Sequence, residues 1–75
     1  MPRPDAVQEA VRLKEVVWEV QQAAERNGNE TLAQEARVRD ILLGDVIDRK
    51  EDLEETILSV REWMASAGVK APPSR

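Results

Sequence analysis

The sequence predicts an all-α protein in which a helical hairpin assembles as a homodimeric helical bundle. First, apolar residues recur at alternating steps of four and three along most of the 75 residues, which is typical of helices packed along their length. Second, turn-forming residues cluster at one internal site and near the two termini, so they delimit long helices. Third, a chain this short with no cysteine and no histidine lacks disulfides and zinc sites, and self-association is a common substitute for them.

The first helix is predicted over about residues 5–27. Asp5 is a favourable N-cap, and Gln8 follows it at the spacing of a capping box. At the other end, Gly28 suits the left-handed conformation that commonly follows a helix, and Asn29 is a good N-cap for the next one. The sequence therefore predicts a tight turn between two helices.

A longer second helix is predicted over about residues 30–67. Its apolar seam keeps one phase throughout and passes through Gly44, where a turn would expose the leucines beside it. We therefore predict one helix, with a bend allowed at Gly44; a monomeric three-helix bundle broken at that glycine is the alternative. The seam comprises Leu32, Ala36, Arg39, Leu43, Val46, Lys50, Leu53, Ile57, Val60, Met64 and Ala67.

The two predicted helices differ in length, at about 33 Å and about 57 Å. In a hairpin the first helix would cover the second only to about residue 52, so the rest of the seam would be exposed. Self-association through the second helix would bury it. The two tryptophans, which are the only aromatic residues, are also candidate interface anchors. The predicted interface residues are Leu43, Val46, Leu53, Ile57, Val60, Trp63, Met64 and Trp18.

The expected domain organisation is an extended N-terminal arm at residues 1–4, a single helical domain at 5–68 and a flexible C-terminal tail at 69–75. Prolines among the first four residues favour extended backbone. Near the other end, Gly68 favours the end of a helix, and the two prolines that begin at Pro72 prevent the helix from continuing.

The charge balance limits the choice of partner. Eleven Lys and Arg residues against 15 Asp and Glu residues give a net charge of −4, which argues against binding to nucleic acid or to an anionic membrane. The sequence contains no apolar run long enough for a membrane span or a signal peptide, so we expect a cytoplasmic location. The expected partners are a second copy of the chain, as a homodimer or higher oligomer, or another protein.

The residue types also limit catalysis. Without histidine or cysteine the chain has no imidazole base and no thiolate nucleophile or metal ligand, so we predict no catalytic residue, no metal ligand and no cofactor. The sequence is therefore expected to encode a non-enzymatic protein–protein interaction or oligomerisation module. Such a module, of the adaptor, inhibitor or antitoxin-like kind, would use its long amphipathic helix and its acidic outer face.

Two alternatives remain open. Asp48, Asp52 and Glu55 would share one face of a continuous helix, and carboxylates spaced in this way can hold Mg²⁺ or Mn²⁺. The segment from Glu51 to Glu55 resembles the E-x-x-E motif of all-α pyrophosphatases of the MazG and dimeric dUTPase type, which implies a small metal-dependent phosphoanhydride hydrolase. The Asn-Gly-Asn-Glu turn at 27–30 resembles the connections of designed helical proteins, so a designed helical scaffold is the other alternative.

Overall fold

Three helices form a bundle in the computed structural model, which describes residues 4–69. They are α1 (Pro4–Arg26), α2 (Glu30–Arg49) and α3 (Leu53–Ala67), so every regular element in this range is helical, as predicted. The contact between α1 and α2 is the most extensive, and α3 packs against both. The longest dimension is 40 Å, which is too short for the continuous helix of about 57 Å expected over residues 30–67.

The turn between α1 and α2 forms as the sequence predicts. Gly28 has a φ of +72°, a left-handed value that glycine adopts without a steric penalty. The side-chain oxygen of Asn29 accepts a hydrogen bond from the backbone N–H of Leu32 at 3.2 Å and so caps α2. At its other end α1 already includes Pro4, so Asp5 lies within the first turn and not at the cap position that we predicted.

The second predicted helix is interrupted, because α2 ends at Arg49 and α3 begins at Leu53. The prediction of one helix over about residues 30–67 is therefore wrong, and the three-helix alternative has the correct number of helices. Its break lies at residues 50–52 and not at Gly44, which is inside α2. The three residues of the break are all charged and exposed, whereas the leucine before Gly44 is fully buried, so a turn there would have opened the core.

The core lies where the three helices meet, and most of its side chains are aliphatic. Burial of this apolar surface is the dominant favourable term that brings α3 back over α1 and α2. No helix in residues 4–69 combines the length and the apolar character that crossing a membrane requires. The core side chains are Ala6, Ala10, Leu13, Val17, Ala36, Leu43, Val46, Leu53, Ile57, Val60, Trp63 and Met64.

The C-terminal end of α3 is closed by Gly68, which has a φ of +75°. The next residue, Val69, donates its backbone N–H to a carbonyl of the last helical turn at 2.8 Å and packs its half-buried side chain against the core. The arm predicted at residues 1–4 and the tail predicted at 69–75 otherwise lie outside the described residues. Within these two segments the structure describes only the start of α1 and the docked Val69.

Candidate functional site

The residues predicted to form an interface lie in two different environments. Trp18 is 54% exposed on α1, whereas the other seven are buried within the chain. Two of the seven lie on α2 within the bundle, and the other five lie on α3, which folds back over α1 and α2, so all seven belong to the core and not to a surface of this fold. These seven residues are Leu43, Val46, Leu53, Ile57, Val60, Trp63 and Met64.

α3 is attached to one side of the α1–α2 pair. The indole N–H of Trp63 donates to Oε1 of Glu35 at 3.2 Å, and the guanidinium of Arg39 stacks 4.7 Å from the centroid of the tryptophan rings. On α1, Oε2 of Glu9 accepts a hydrogen bond from Nε of Arg61 at 2.8 Å. These contacts identify the flank of each helix that faces α3, which carries Glu9 on α1 and Arg39 on α2.

The opposite side of the α1–α2 pair carries exposed apolar residues. Val11 lies two residues after Glu9, so it projects about 200° around α1 from the flank that contacts α3. Ile41 follows Asp40, which lies beside Lys14 of α1, and it projects from the outer edge of the same side of α2. Val11 is 41% exposed and Ile41 is 65% exposed. Trp18 comes seven residues after Val11 and projects from the same flank of α1. We call this surface the open face and define it as Val11, Lys14, Trp18, Asp40, Ile41 and Gly44.

Lys14 joins α1 to α2 in the middle of the open face. Its Nζ lies 3.2 Å from Oδ1 of Asp40, which accepts no hydrogen bond within residues 4–69, so the contact is a charge interaction without hydrogen-bond alignment. Gly44 makes room for the lysine stem, because a Cβ at this position would lie 3.3 Å from Cε of Lys14. The stem of Lys14 therefore fills the space beside Gly44 between the two helices, and Val11 and Ile41 lie at the α1 and α2 edges of the open face.

A shallow depression of about 380 Å³ lies on the α1 side of the open face. Its lining consists of Val11, Lys14, Glu15, Trp18 and Glu19. Glu15 and Glu19 are exposed and form no ion pair within residues 4–69. The depression therefore combines an apolar floor with an acidic border, which suits an apolar side chain flanked by cations.

The remaining exposed apolar residues lie elsewhere on the described surface. Val38 and Leu42 lie on the outer surface of α2, and Leu58 lies on α3, two residues before the buried Val60, so it points away from the core. A second depression, of about 450 Å³, lies at the α1–α2 turn. Its lining contains no large apolar residue: Glu25, Gly28, Glu30, Ala33, Gln34 and Arg37.

The sequence alone does not single out Lys14, Asp40 or Ile41. Ile41 lies outside the four–three seam, so an apolar residue there is the one signal that indicates a second surface on α2. The position of Lys14 opposite Asp40 depends on how α1 and α2 are paired. A single sequence does not specify this pairing.

The carboxylates considered as a metal site do not share a helix face. Asp48 lies in α2, Asp52 lies in the turn and Glu55 lies in α3, so a spacing that is regular in the sequence no longer places them side by side. In the described part of the chain, no group of three or more acidic, histidine or cysteine side chains is placed to hold a metal ion. The hydrolase alternative therefore has no support in the geometry of these residues.

Comparisons of the chain with protein families, with curated proteins and with solved structures find no match. The chemistry of the surface must therefore indicate the function. Among residues 4–69, the open face combines exposed apolar side chains from two helices with a border of unpaired carboxylates. It is the candidate functional site.

Proposed function

We propose that this protein is a non-enzymatic protein–protein interaction module whose open face binds an amphipathic helix of a partner protein. The proposal rests on one observation, the exposure of Val11, Trp18 and Ile41 on the side of the α1–α2 pair opposite α3. A helix placed there would lie between α1 and α2 and complete a four-helix bundle. Apolar side chains spaced about one turn apart on that helix would contact both sides of the groove.

The charges around the open face favour a basic partner. Glu15 and Glu19 border its α1 side, and the exposed Asp48 lies one turn beyond Gly44 on its α2 side. The cations of this side are fewer, since Lys14 is paired with Asp40 and the exposed Arg37 lies two turns before Gly44. The net charge of −4 has the same sign and acts at longer range. Lys or Arg residues flanking the apolar stripe of a partner helix would pair with these carboxylates and speed association.

A second copy of this chain is a poorer occupant of the open face. A two-fold contact would bring two copies of the acidic border formed by Glu15 and Glu19 into one interface, and an excess of like charges at an interface disfavours association. The dimensions also suit a single helix. Val11 and Trp18 are separated by about 10 Å along α1, which corresponds to about two turns of an opposing helix.

Titration with synthetic helical peptides tests the proposal. The probe is a peptide of about 18 residues, long enough to form a helix, with leucines on one face and lysines on the other. One control peptide has glutamate in place of lysine, and a second has the probe's composition in scrambled order. We expect only the basic amphipathic peptide to shift the backbone amide NMR signals of Val11, Trp18 and Ile41, with an affinity that falls as salt is added.

Two variants of the protein localise the binding site. Trp18→Ala should weaken binding of the basic peptide by about tenfold or more, since exposed tryptophans in a groove are typical interface anchors. Leu58→Ala is the matched control, because Leu58 is 61% exposed but lies on α3. Circular dichroism should show both variants folded. Equal binding of the acidic peptide, or equal losses of affinity in the two variants, would refute the proposal.

A further inference from the structure

The apolar seam of α2 continues into α3 without a change of phase. Steps of four and three lead from Val46 through Lys50 to Leu53, although the helix is interrupted between them. One helix over residues 30–67 would therefore present a single stripe that is apolar except at Arg39 and Lys50. The large apolar residues of this stripe on α3 are buried in the compact fold as well. The same sequence pattern is thus compatible with two conformations of residues 50–52: the observed turn, which we call the closed connection, and a continuous helix, which we call the straightened one.

The connection itself is unfavourable for the residues that form it. Lys50 has a φ of +57° and Asp52 a φ of +56°, and left-handed backbone is costly for a residue with a Cβ such as lysine and less costly for aspartate. The side chain of Asp52 makes no capping hydrogen bond to α3. Both residues would regain ordinary helical φ values if α2 and α3 formed one helix. Straightening of residues 50–52 would therefore release backbone strain.

Contacts made by α3 hold the connection closed. Ile57, Val60 and Met64 are buried in the core shared with α1 and α2, and Trp63 is hydrogen-bonded to Glu35 on α2. All of these contacts join α3 to the other two helices. If the connection straightens in two molecules, each α3 can form the same contacts on the α1–α2 pair of the other molecule.

We propose that residues 50–52 are a hinge through which two copies of this chain exchange α3. In the exchanged dimer, α2 and α3 of each protomer form one long helix, and each α3 occupies the place of the partner's own α3. Exchange keeps the contacts of α3 and releases the strain of the hinge. It is opposed by the translational and rotational entropy that is lost when two molecules associate. The dimer fraction therefore rises with protein concentration. The inference is independent of the open face, because α3 packs on the other side of α1 and α2.

The distance between Glu35 and Trp63 distinguishes the two states. Their side chains are in contact in the compact chain, with 3.2 Å between Oε1 and Nε1. In a continuous helix their separation of 28 residues would correspond to about 42 Å. The adjacent residues Gln34 and Glu62 are exposed and can be replaced by cysteine for spin labelling, since the sequence contains no other cysteine.

Pulsed electron paramagnetic resonance tests the exchange. Chains labelled at Gln34→Cys and Glu62→Cys are refolded with an excess of unlabelled protein, and monomer and dimer fractions are then separated by size. We expect a short distance in the monomer and a distance of about 40 Å in the dimer. Chains with only Gln34→Cys, refolded with chains with only Glu62→Cys, should give the short distance in the dimer. A monomer at every concentration, or a dimer with a short distance within one chain, would overturn the proposal.

Two double variants test the hinge itself. In Lys50→Gly/Asp52→Gly, glycine relieves the left-handed strain of the closed turn and weakens a continuous helix, whereas Lys50→Ala/Asp52→Ala does the opposite. We expect the dimer dissociation constant of the glycine variant to be at least about tenfold above that of the alanine variant. Sedimentation equilibrium measures both constants, and circular dichroism checks that both variants are helical. Equal constants would overturn the hinge, and if either variant does not fold, the distances in the otherwise wild-type chain decide.

Discussion

The two turns of the bundle are built in opposite ways. Between α1 and α2, Gly28 adopts a left-handed backbone without steric cost, and the side chain of Asn29 caps the helix that follows. Between α2 and α3, the left-handed positions are occupied by Lys50 and Asp52, and no side-chain cap forms at the start of α3. Both turns reverse the chain, but only the first is favoured by the residues that form it.

The turn between α2 and α3 must therefore be stabilised by contacts that lie outside the turn, those made by α3. The left-handed backbone of Lys50 costs about 1–2 kcal/mol, and that of Asp52 costs less, because aspartate tolerates this conformation better than most residues do. Burial of side chains such as Val60 and Met64 offsets this cost, at about 1.5–3 kcal/mol for each large apolar side chain that is fully buried. A turn with favourable local chemistry persists on its own, whereas this one lasts only while α3 stays packed. The difference identifies the α2–α3 connection as the place where the fold can rearrange.

Loss of the packing of α3 should have the largest effect on stability. Ile57→Asp places a carboxylate in the core with no partner, and we expect it to cost about 4 kcal/mol or more, enough to unfold a domain of this size. Urea denaturation followed by circular dichroism measures the free energy of unfolding. Leu58→Asp, at the exposed neighbouring position, is the control and should change that free energy by less than about 0.5 kcal/mol. Similar losses at the two positions would contradict the packing of α3 described above.

Removal of the caps compares the two turns directly. Asn29→Ala should lower the free energy of unfolding by about 1 kcal/mol, because it removes the hydrogen bond to the N–H of Leu32. Asp52→Gly should lower it by less than about 0.5 kcal/mol, because no such bond is lost and glycine adopts the left-handed backbone of this position without steric cost. Guanidinium unfolding at low protein concentration keeps both measurements on the monomer. A larger loss for Asp52→Gly than for Asn29→Ala would show that the contrast between the turns is wrong.

Gly44→Ala should have the smallest effect. Alanine is favoured over glycine within a helix by up to about 1 kcal/mol, but the added methyl group would lie 3.3 Å from Cε of Lys14. Because that end of the lysine is flexible and half-exposed, we expect a net gain of between zero and about 1 kcal/mol in thermal unfolding experiments. The double variant Lys14→Ala/Gly44→Ala is compared with Lys14→Ala. The difference is the stability gained from alanine at residue 44 when Cε of Lys14 is absent. A destabilised Gly44→Ala variant would show that Lys14 is fixed by its contact with Asp40.

Sequence patterns identified three helix ends at which neighbouring residues act directly on the backbone, but not the start of α1, where Asp5 lies inside the helix. Gly28, Asn29 and Gly68 all have the predicted roles. The break at residues 50–52 was missed, although Asp52 is followed at the capping-box spacing by Glu55. The unbroken phase of the seam indicated a continuous helix, and the capping-box spacing is a weaker signal. Local spacing alone is compatible with a continuous helix and with a break at residues 50–52.

The candidate site was predicted only in part. Trp18 was selected because it is aromatic and lies off the main seam, and it is exposed on the open face. Trp63 was selected on similar grounds, but α3 carries it into the core beside Arg39. The two tryptophans differ in sequence pattern far less than in environment, since their exposure depends on which side of the α1–α2 pair α3 covers.

Residue spacing and turn chemistry are sufficient to specify three features of this protein: its helical class, the buried stripe of each helix and the first turn. Hydrophobic periodicity and left-handed preferences act over a few residues, so they can be recognised along the chain. The direction of α3 is different, because the same apolar stripe suits both a helix that extends α2 and one that returns over α1. That choice depends on whether the burial of apolar surface over the whole bundle outweighs the backbone strain at Lys50 and Asp52. Both quantities are set by the tertiary structure and not by local residue spacing.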